Sequence, residues 1–458
     1  MSTPNAPLEY ARTHRDEFLE ELKELVRIPS VSTQAERQQD MRSAAKWLAA
    51  KLTSIGLDNA AILETKGLPV VYADWLKAGT KAPTLLVYGH YDVQPEDPVD
   101  LWATPPFEPT RVGDNLYARG ASDMKGQILA HVFALESMLR TSGLPINVKY
   151  LLEGEEEIGS PNLDEFIAKN KKRLACDLCL NPDLSIIAPD VPAITYGLRG
   201  LAYFEIRLKG AKSDLHSGQF GGAVANPALV LAKLLAGMMD DQGRITLPGF
   251  YDDVRPLKPE ERASLAKLPQ PETWWQEQTG VRALAGEAGY TSTERATARP
   301  TLDVNGLLSG FTGEGSKTVL PAKAMAKVSM RLVPDQTPQA VERSLRAYLK
   351  ANVPATVEWE VQEHAGAKPA IVGLDSPAVR AAARALESVW GKPPLYARQG
   401  GTVPVVTQIQ EVLGTDSLLM GFGLPDDNLH APNEKLHLPT FFRAIEAFIH
   451  FTYEWAAS

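Results

Sequence analysis

The length and charge of the chain exclude several classes of protein. With 458 residues, of which 44% are hydrophobic and 22% charged, the composition is that of a globular protein of two or three domains. A formal net charge of −9 argues against nucleic-acid or anionic-membrane partners, because both favour basic surfaces. No run approaches the ~18 apolar residues of a membrane span, and the polar N-terminus lacks the apolar segment of a signal peptide. We therefore predict a cytoplasmic protein with neither kind of partner.

The first part of the chain alternates between helix and strand patterns. Helical spacing over 18–26 and 41–56 is followed by strand patterns in VVYADW and TLLVYGHYDV, a helix in QILAHVFALESMLRTSG, and strands in NVKYLLEGEEE and DLCLNPD. Nearly continuous apolar strands that alternate with helices are typical of a mainly parallel sheet covered by helices. The sequence therefore predicts an α/β domain.

The pattern changes near Ile194. The stretches ITYGLRGLAYFEIRLKG, AKAMAKVSMRLVP and ATVEWEVQE alternate apolar and polar residues, as half-exposed antiparallel strands do, and helical stretches lie between them. From about Lys368 the helix–strand alternation returns. The simplest organisation is an α/β domain formed by residues 1–196 and 367–458, interrupted by an inserted α+β domain over residues 197–366.

Polar side chains follow the predicted strands of the α/β domain, where ligands bind in open α/β sheets. Taken singly, each has a plain explanation as a helix cap, a local hydrogen bond or a solvated loop. Together, two imidazoles and several carboxylates favour zinc, manganese or cobalt over magnesium alone. Five ligands with one bridging carboxylate give each of two metal ions three ligands. That count fits His90, Asp123, Glu157, Asp183 and His430, and it leaves Asp92 and Glu156 for other roles.

Eight motifs occur in an order typical of a known family. They are GHYDVQP, YARGASDMKGQ, EGEEEIGS, ITYGLRG, DLHSGQFGG, KTVLPAKAMAKVSMRLVP, RQGGTVP and HAPNEKL. With these motifs the chain resembles the di-zinc family of dipeptidases, aminoacylases and acyl-amino-acid deacylases from about residue 10 to the C-terminus. It is most similar to the cytosolic nonspecific dipeptidases related to carnosinase.

The resemblance implies a division of the metal ligands. His90 and Asp183 would hold one ion, Glu157 and His430 would hold the second, and Asp123 would bridge the two. The two divalent ions would be zinc, with manganese or cobalt as alternatives.

Further roles follow from the same resemblance. Glu156 would be the general base that takes a proton from a water bridging the two ions, and Asp92 would orient His90. The peptide bond between Asp123 and Met124 would be cis. Glu155 receives no chemical role and is expected to be a solvent or structural partner.

The inserted domain would act as a lid and dimerisation domain. There the resemblance implies that His216 stabilises the oxyanion in the active site of the partner subunit of a homodimer. It also implies that Thr318, Arg331, Gly401 and Thr402 bind the carboxylate end of the substrate. Arginine suits this role because its planar guanidinium binds a carboxylate through two hydrogen bonds.

The expected activity is hydrolysis of the amide bond of dipeptides or short peptides. An N-acyl amino acid deacylase, which would use the same two-metal centre and differ in the acyl pocket, is the alternative. The length of the insert, with its segment LPQPETWWQEQ, favours the dipeptidase, and Gln399, which stands where the dipeptidases carry an acid, bears on the fine substrate preference. A non-catalytic metal-binding or peptide-binding protein is a more remote alternative, since all seven metal-site positions are filled. The sequence has no GxSxG nucleophile elbow and no HExxH motif.

Overall fold

The computed structural model describes residues 3–458, which divide into two compact units. Unit 1 comprises the chain up to Tyr196 together with Val372–Ala397 and Val405–Ser458. Unit 2 comprises Gly197–Ile371 and Arg398–Pro404. Residues 367–371 and 398–404 thus cluster with unit 2, although the sequence patterns assigned them to the second part of the α/β domain.

Helices and strands alternate along much of the chain. The helices are α1 (Asn5–Thr13), α2 (Arg15–Val26), α3 (Gln38–Ser54), α4 (Gly126–Thr141), α5 (Leu163–Lys169), α6 (Lys171–Leu174), α7 (Ser217–Phe220), α8 (Pro227–Gly237), α9 (Pro259–Leu265), α10 (Glu272–Thr279), α11 (Ser292–Ala298), α12 (Pro338–Asn352), α13 (Pro377–Trp390), α14 (Pro404–Leu413) and α15 (Leu438–Ala456). The strands are β1 (Asp58–Leu63), β2 (Val70–Trp75), β3 (Thr84–His90), β4 (Thr110–Val112), β5 (Asn115–Tyr117), β6 (Asn147–Glu153), β7 (Leu178–Asn181), β8 (Ala193–Leu198), β9 (Gly200–Lys209), β10 (Leu215–His216), β11 (Thr301–Ser309), β12 (Val319–Leu320), β13 (Lys323–Leu332), β14 (Glu358–Ala367), β15 (Ala370–Ile371), β16 (Leu395–Gln399), β17 (Ser417–Leu419) and β18 (Lys435–His437).

Unit 1 is built on a sheet in which β1, β2, β6, β3, β7, β17 and β8 are neighbours in that order. The central strands β6, β3, β7 and β17 run parallel to one another. The flanking strands β1, β2 and β8 pair in the antiparallel direction. The predicted α/β fold with a mainly parallel central sheet is confirmed, and the antiparallel edges are an addition that the apolar strand patterns did not indicate.

Helix α4 lies in the core of unit 1 and is buried over most of its length. Residues from Gly126 to Met138 are all buried, and α4 contacts both α1 and α15. The ring of Phe133 stacks on that of Phe18 with 4.2 Å between centroids and meets Phe441 edge-on at 6.3 Å. A helix that is covered on all sides is mostly apolar around its circumference, and its buried polar side chains are hydrogen-bonded, as Glu136 is to Lys51.

Unit 2 contains an antiparallel sheet with the strand order β11, β13, β9, β14. Alternate residues of β9 and β13, such as Phe204 and Val328, point into a core that also includes Leu231 of α8 and Leu345 of α12. The two helices therefore cover one face of the sheet. The motif ITYGLRGLAYFEIRLKG, which the alternation predicted as one strand, forms two strands, because Arg199 separates β8 from β9.

No helix within residues 3–458 combines the length and apolarity that a membrane span requires.

Candidate metal centre

The candidate ligands lie beyond the carboxyl ends of the four parallel strands of unit 1. His90 ends β3, Glu157 follows β6, Asp183 follows β7, and His430 lies in the loop after β17. Asp123 precedes α4, and its peptide bond to Met124 is cis. Because the carboxyl ends of parallel strands meet at one edge of a sheet, residues distant in sequence converge there.

Asp123 lies between the two histidines. Its Oδ1 is 3.2 Å from Nε2 of His90, and its Oδ2 is 2.9 Å from Nε2 of His430. Nε2 of His90 also lies 3.7 Å from Oδ2 of Asp183, and Nε2 of His430 lies 3.3 Å from Oε2 of Glu157. The five residues therefore form two groups, His90 with Asp183 and His430 with Glu157, which share the Asp123 carboxylate.

The donor set fits a divalent metal ion. One ligand atom from each of His90, Asp123 and Glu157 lies within 4.8 Å of the other two. Nε2 of His90 is buried and has no hydrogen-bond partner in the described part of the chain. Buried polar atoms are nearly always satisfied, and a nitrogen that faces carboxylates without a partner is what a cation would satisfy. Imidazole and carboxylate ligands suit zinc, manganese and cobalt.

The site carries more negative charge than its two imidazoles offset. Burial, followed by repulsion from Asp123, raises the pKa of Glu157 to about 8 and that of Asp183 to about 6. The hydrogen bond to Asp123 raises the pKa of His430 to about 9. A divalent cation would relieve this repulsion, since a nearby positive charge favours ionised carboxylates.

Asp92 connects His90 to the glutamate segment. Nδ1 of His90 is 3.1 Å from the backbone carbonyl oxygen of Asp92 and 3.4 Å from its Oδ1. The backbone N–H groups of Glu156 and Glu157 donate to Oδ1 and Oδ2 of Asp92 at 3.2 and 3.0 Å. The fully buried Asp92 can thus hold the His90 ring with Nε2 towards the other ligands.

Two glutamates at this strand end have structural partners. Glu153 accepts a hydrogen bond from the hydroxyl of Tyr88 at 2.7 Å. Glu155 accepts hydrogen bonds from the backbone N–H of Leu68 at 3.0 Å and from Nδ2 of Asn162 at 2.9 Å. Because Glu155 is only 5% exposed, it is a structural partner and not a solvent-facing residue.

The next two glutamates have different surroundings. Glu157 accepts a hydrogen bond from Nε2 of Gln94 at 2.7 Å, in addition to its contact with His430. The carboxylate of Glu156 makes neither a hydrogen bond nor an ion pair with the described residues 3–458. The chain bends into a short 3-10 turn at Glu156–Ile158, and the following Gly159 has φ 86°, a left-handed conformation that glycine adopts easily. This bend lets two consecutive residues face one centre.

Glu434 organises the loop that carries Asp123, although the sequence patterns predicted no role for it. Its Oε1 accepts from the backbone N–H groups of Ser122 and Asp123 at 3.0 and 3.1 Å. Its Oε2 accepts from the backbone N–H of Gly120 at 2.9 Å and from Nη1 of Arg119 at 2.8 Å. Both Glu434 and Gln94 stand inside the motifs HAPNEKL and GHYDVQP that were singled out for their neighbours, so those motifs were the available signal.

Replacement of Glu434 by glutamine is expected to weaken metal binding about 10- to 100-fold, the usual cost of losing a group that orients a ligand. The carboxylate of Glu434 accepts hydrogen bonds from four donors. In the glutamine variant, the NH2 group that replaces one oxygen would face N–H groups and displace Asp123. Calorimetry with Zn²⁺ and the visible absorption spectrum of the Co²⁺ form measure this effect. Glu136→Gln is the matched control, since Glu136 is buried and bonded to Lys51 at 2.6 Å. Wild-type affinity and an unchanged spectrum for Glu434→Gln would contradict the expectation.

The remaining predicted site residues lie in unit 2 and form two small groups. The exposed His216 pairs with Val319 across β10 and β12, and the backbone N–H of Ser217 donates to the carbonyl oxygen of Thr318 at 3.0 Å. Nδ1 of His216 accepts from the backbone N–H of Gly218 at 3.0 Å. His216 and Thr318 are therefore close together, and their substrate-binding roles stay predictions.

The second group contains Arg331, Gly401 and Thr402. Nη1 of Arg331 donates to Oγ1 of Thr402 at 2.9 Å, and that hydroxyl donates to the carbonyl oxygen of Arg199 at 2.7 Å. Gly401 precedes Thr402 in the same loop and has no atom within 4 Å of the position that a Cβ would take. Arg199 was not among the predicted site residues, although it stands in the motif ITYGLRG.

Comparison with known families places the chain among peptidases. The model of "Peptidase family M20/M25/M40" matches residues 86–454. The chain belongs to this family. The match covers most of the chain and confirms the resemblance that the eight motifs indicated.

Relatives of this M20 chain extend over nearly its whole length. It is 33% identical to the human Beta-Ala-His dipeptidase, covering 100% of this chain and 95% of the relative. It is 30% identical to the Cys-Gly metallodipeptidase of Candida albicans, covering 95% of both. Among solved structures, an M20 family metallo-carboxypeptidase from Sulfolobus solfataricus superimposes with a TM-score of 0.86 at 35% identity, covering 96% of this chain and 100% of that one.

Proposed function

We propose that this member of the M20 family is a metal-dependent dipeptidase that hydrolyses the amide bond of dipeptides or short peptides. The proposal rests on the carboxylate of Glu156, which has no hydrogen-bond or ion-pair partner among the described residues. It lies beside a set of imidazole and carboxylate groups that could bind metal ions. The human and Candida albicans relatives are both named as dipeptidases, which supports a dipeptide substrate.

The proposed metal centre has two divalent ions. His90 and Asp183 would hold one, His430 and Glu157 would hold the other, and both ions would share Asp123. Zinc is the first choice, and manganese or cobalt would suit the same ligands. Bound ions of this kind supply Lewis-acid polarisation of the amide carbonyl and lower the pKa of water.

The side chains of the chain itself carry the proton transfers. Glu156 removes a proton from the attacking water as the new C–O bond to the amide carbon forms. Glu156 then gives that proton to the amide nitrogen as the C–N bond breaks, and the second water proton passes from the new carboxyl group to the released amine, so that the products are a carboxylate and an ammonium group. Asp92 keeps the imidazole of His90 in place throughout.

Unit 2 supplies the proposed substrate contacts. His216 donates to the oxyanion that develops on the amide oxygen, in the active site of the partner subunit of a homodimer. Thr318, Arg331, Gly401 and Thr402 bind the carboxylate end of the substrate, with Arg331 as the charged donor. In this proposal unit 2 is also the lid and dimerisation domain, and the protein is cytoplasmic.

A substrate panel combined with metal analysis tests the proposal. We expect hydrolysis of dipeptides such as Ala-Gly to exceed that of N-acetyl and N-succinyl amino acids, with loss of activity on chelation and recovery on adding Zn²⁺, Mn²⁺ or Co²⁺. Glu156→Gln, purified in parallel, controls for contaminating peptidases. Preferred turnover of the N-acyl amino acids would replace the dipeptidase assignment by a deacylase. A purified protein without bound metal and without turnover would contradict both.

A further inference from the structure

Arg199 occupies an unusual position at the junction of β8 and β9 in unit 2. Its Nε donates to the carbonyl oxygen of Gly400 at 3.2 Å. Its Nη1 is buried and has no hydrogen-bond partner within residues 3–458. A Cβ on Gly400 would lie 2.9 Å from Nη2 of Arg199, so the glycine leaves room for the guanidinium. A buried guanidinium nitrogen without an acceptor is costly unless a ligand completes it.

A second arginine, Arg331, is linked through Thr402 to the main chain of Arg199. Arg331 and the main chain of Arg199 share the hydroxyl of Thr402, which accepts from Nη1 of Arg331 and donates to the carbonyl oxygen of Arg199. Burial, followed by the positive charge of Arg331, lowers the pKa of Arg199 to about 10. Two neighbouring cations favour an anion between or beside them.

The described residues provide little negative charge to offset this pair. Within residues 3–458, no carboxylate forms an ion pair with Arg199 or Arg331. Asp303, on the neighbouring strand β11, acts on both guanidinium groups only through longer-range attraction and is itself exposed. Arg299, which is buried in unit 2, has by contrast a direct acid partner in Glu287 at 2.7 Å. The pair Arg199 and Arg331 therefore carries positive charge that a carboxylate ligand would offset.

We propose that Arg199 is a second carboxylate-binding residue of unit 2 and determines specificity for substrates with a carboxylate on the residue after the cleaved bond. This inference rests on the proposed peptidase function and extends it, because Arg199 is not among the residues assigned to the carboxylate end, which are Thr318, Arg331, Gly401 and Thr402. The planar guanidinium of Arg199 offers Nη1 as the donor to a carboxylate oxygen. That carboxylate is either the C-terminal one or the side chain of a C-terminal Asp or Glu.

Four peptides distinguish the two sources. Ala-Gly and its C-terminal amide differ only in the main-chain carboxylate, and Ala-Asp and Ala-Asn differ only in the side-chain charge. Each is assayed with the metal-loaded wild type, Arg199→Met and Arg199→Lys. The matched control is Arg207→Met, which removes one positive charge from β9 at a residue paired with Glu205 at 2.6 Å.

We expect Arg199→Met to raise KM about 10- to 100-fold for the carboxylate form of one pair, with little change for its amide partner. Arg199→Lys should recover part of this loss, because it keeps the charge without the planar fork. Arg207→Met should change all four peptides equally and slightly. A loss on Ala-Gly, Ala-Asp and Ala-Asn that spares the amide of Ala-Gly assigns Arg199 to the C-terminal carboxylate, and a loss on Ala-Asp alone assigns it to the side chain. Equal losses on all four peptides, or no loss, would overturn the proposal.

Product binding separates this inference from the proposed function. Calorimetric titration of the metal-loaded protein with glycine, glycinamide, aspartate and asparagine measures affinity without turnover. Selectively weaker binding of the carboxylate forms by Arg199→Met would support the proposal even if the wild type hydrolysed no peptide. Such a lack of hydrolysis would contradict only the dipeptidase assignment. If the wild type bound carboxylates no better than amides, Arg199 would have no such role.

Discussion

Glu156→Gln is expected to lower kcat for dipeptide hydrolysis by about 10²- to 10⁴-fold, the usual contribution of a general base. Glutamine has nearly the size of glutamate but cannot accept the proton of the attacking water. The variant should keep its metal content, because Glu156 is not among the five proposed ligands. Steady-state kinetics with Ala-Gly and metal analysis of the same preparation give the two quantities.

The neighbouring Glu155 is the matched control for this experiment. Its carboxylate is committed to Leu68 and Asn162, and glutamine preserves an oxygen acceptor there. We expect Glu155→Gln to retain kcat within about threefold, with any effect confined to the melting temperature, as for other structural hydrogen bonds. Near-normal turnover by Glu156→Gln with metal bound would show that the base is elsewhere.

Asp123→Asn is expected to abolish stoichiometric binding of both ions and, with it, all measurable turnover. The two Asp123 oxygens face different histidines at 3.2 and 2.9 Å, so an amide NH2 removes one ligand atom outright. The lost negative charge weakens the other contact as well. We expect each dissociation constant to rise at least about 100-fold, the upper range for losing a group that only orients a ligand. Calorimetric titration with Zn²⁺ measures both constants.

Asp183→Asn provides the comparison that tests the sharing of Asp123. Of the two histidines, Asp183 has an ion-pair contact with His90, at 3.7 Å from its Nε2, so its loss should release one ion and leave the other in place. The contrast between zero and one bound ion is the expected signature of a bridging carboxylate. If Asp123→Asn retained two ions at wild-type affinity, or if both variants lost ions equally, the two-group arrangement would be wrong.

Much of the candidate site could be predicted from the sequence because its residues follow strands with a strong apolar pattern. A strand such as TLLVYGH is recognisable locally, and the topology of parallel sheets then requires that strand ends meet. His90, Asp123, Glu157, Asp183 and His430 were placed together on that basis and do converge. The number of candidate metal ligands could be counted from the residue types alone.

Partners that depend on side-chain direction could not be predicted. Glu434 is far from Asp123 in sequence, and nothing in HAPNEKL shows that four donors converge on its carboxylate. The three consecutive glutamates of EGEEEIGS are chemically identical in the sequence. The family resemblance assigned them different roles, and the turn at Glu156–Ile158 gives them different surroundings. Glu155 is hydrogen-bonded to Asn162, Glu156 is free, and Glu157 lies beside His430.

The sequence by itself thus determined the family, the α/β class and the edge of the sheet where the chemistry lies, because periodicity and motif order are local properties of the chain. The tertiary structure alone decided which carboxylates are free, which nitrogens lack partners and which strands run antiparallel. Those properties depend on contacts between residues that are hundreds of positions apart. Arg199 illustrates the difference, since its buried and unsatisfied Nη1 is defined by everything that surrounds it in the fold.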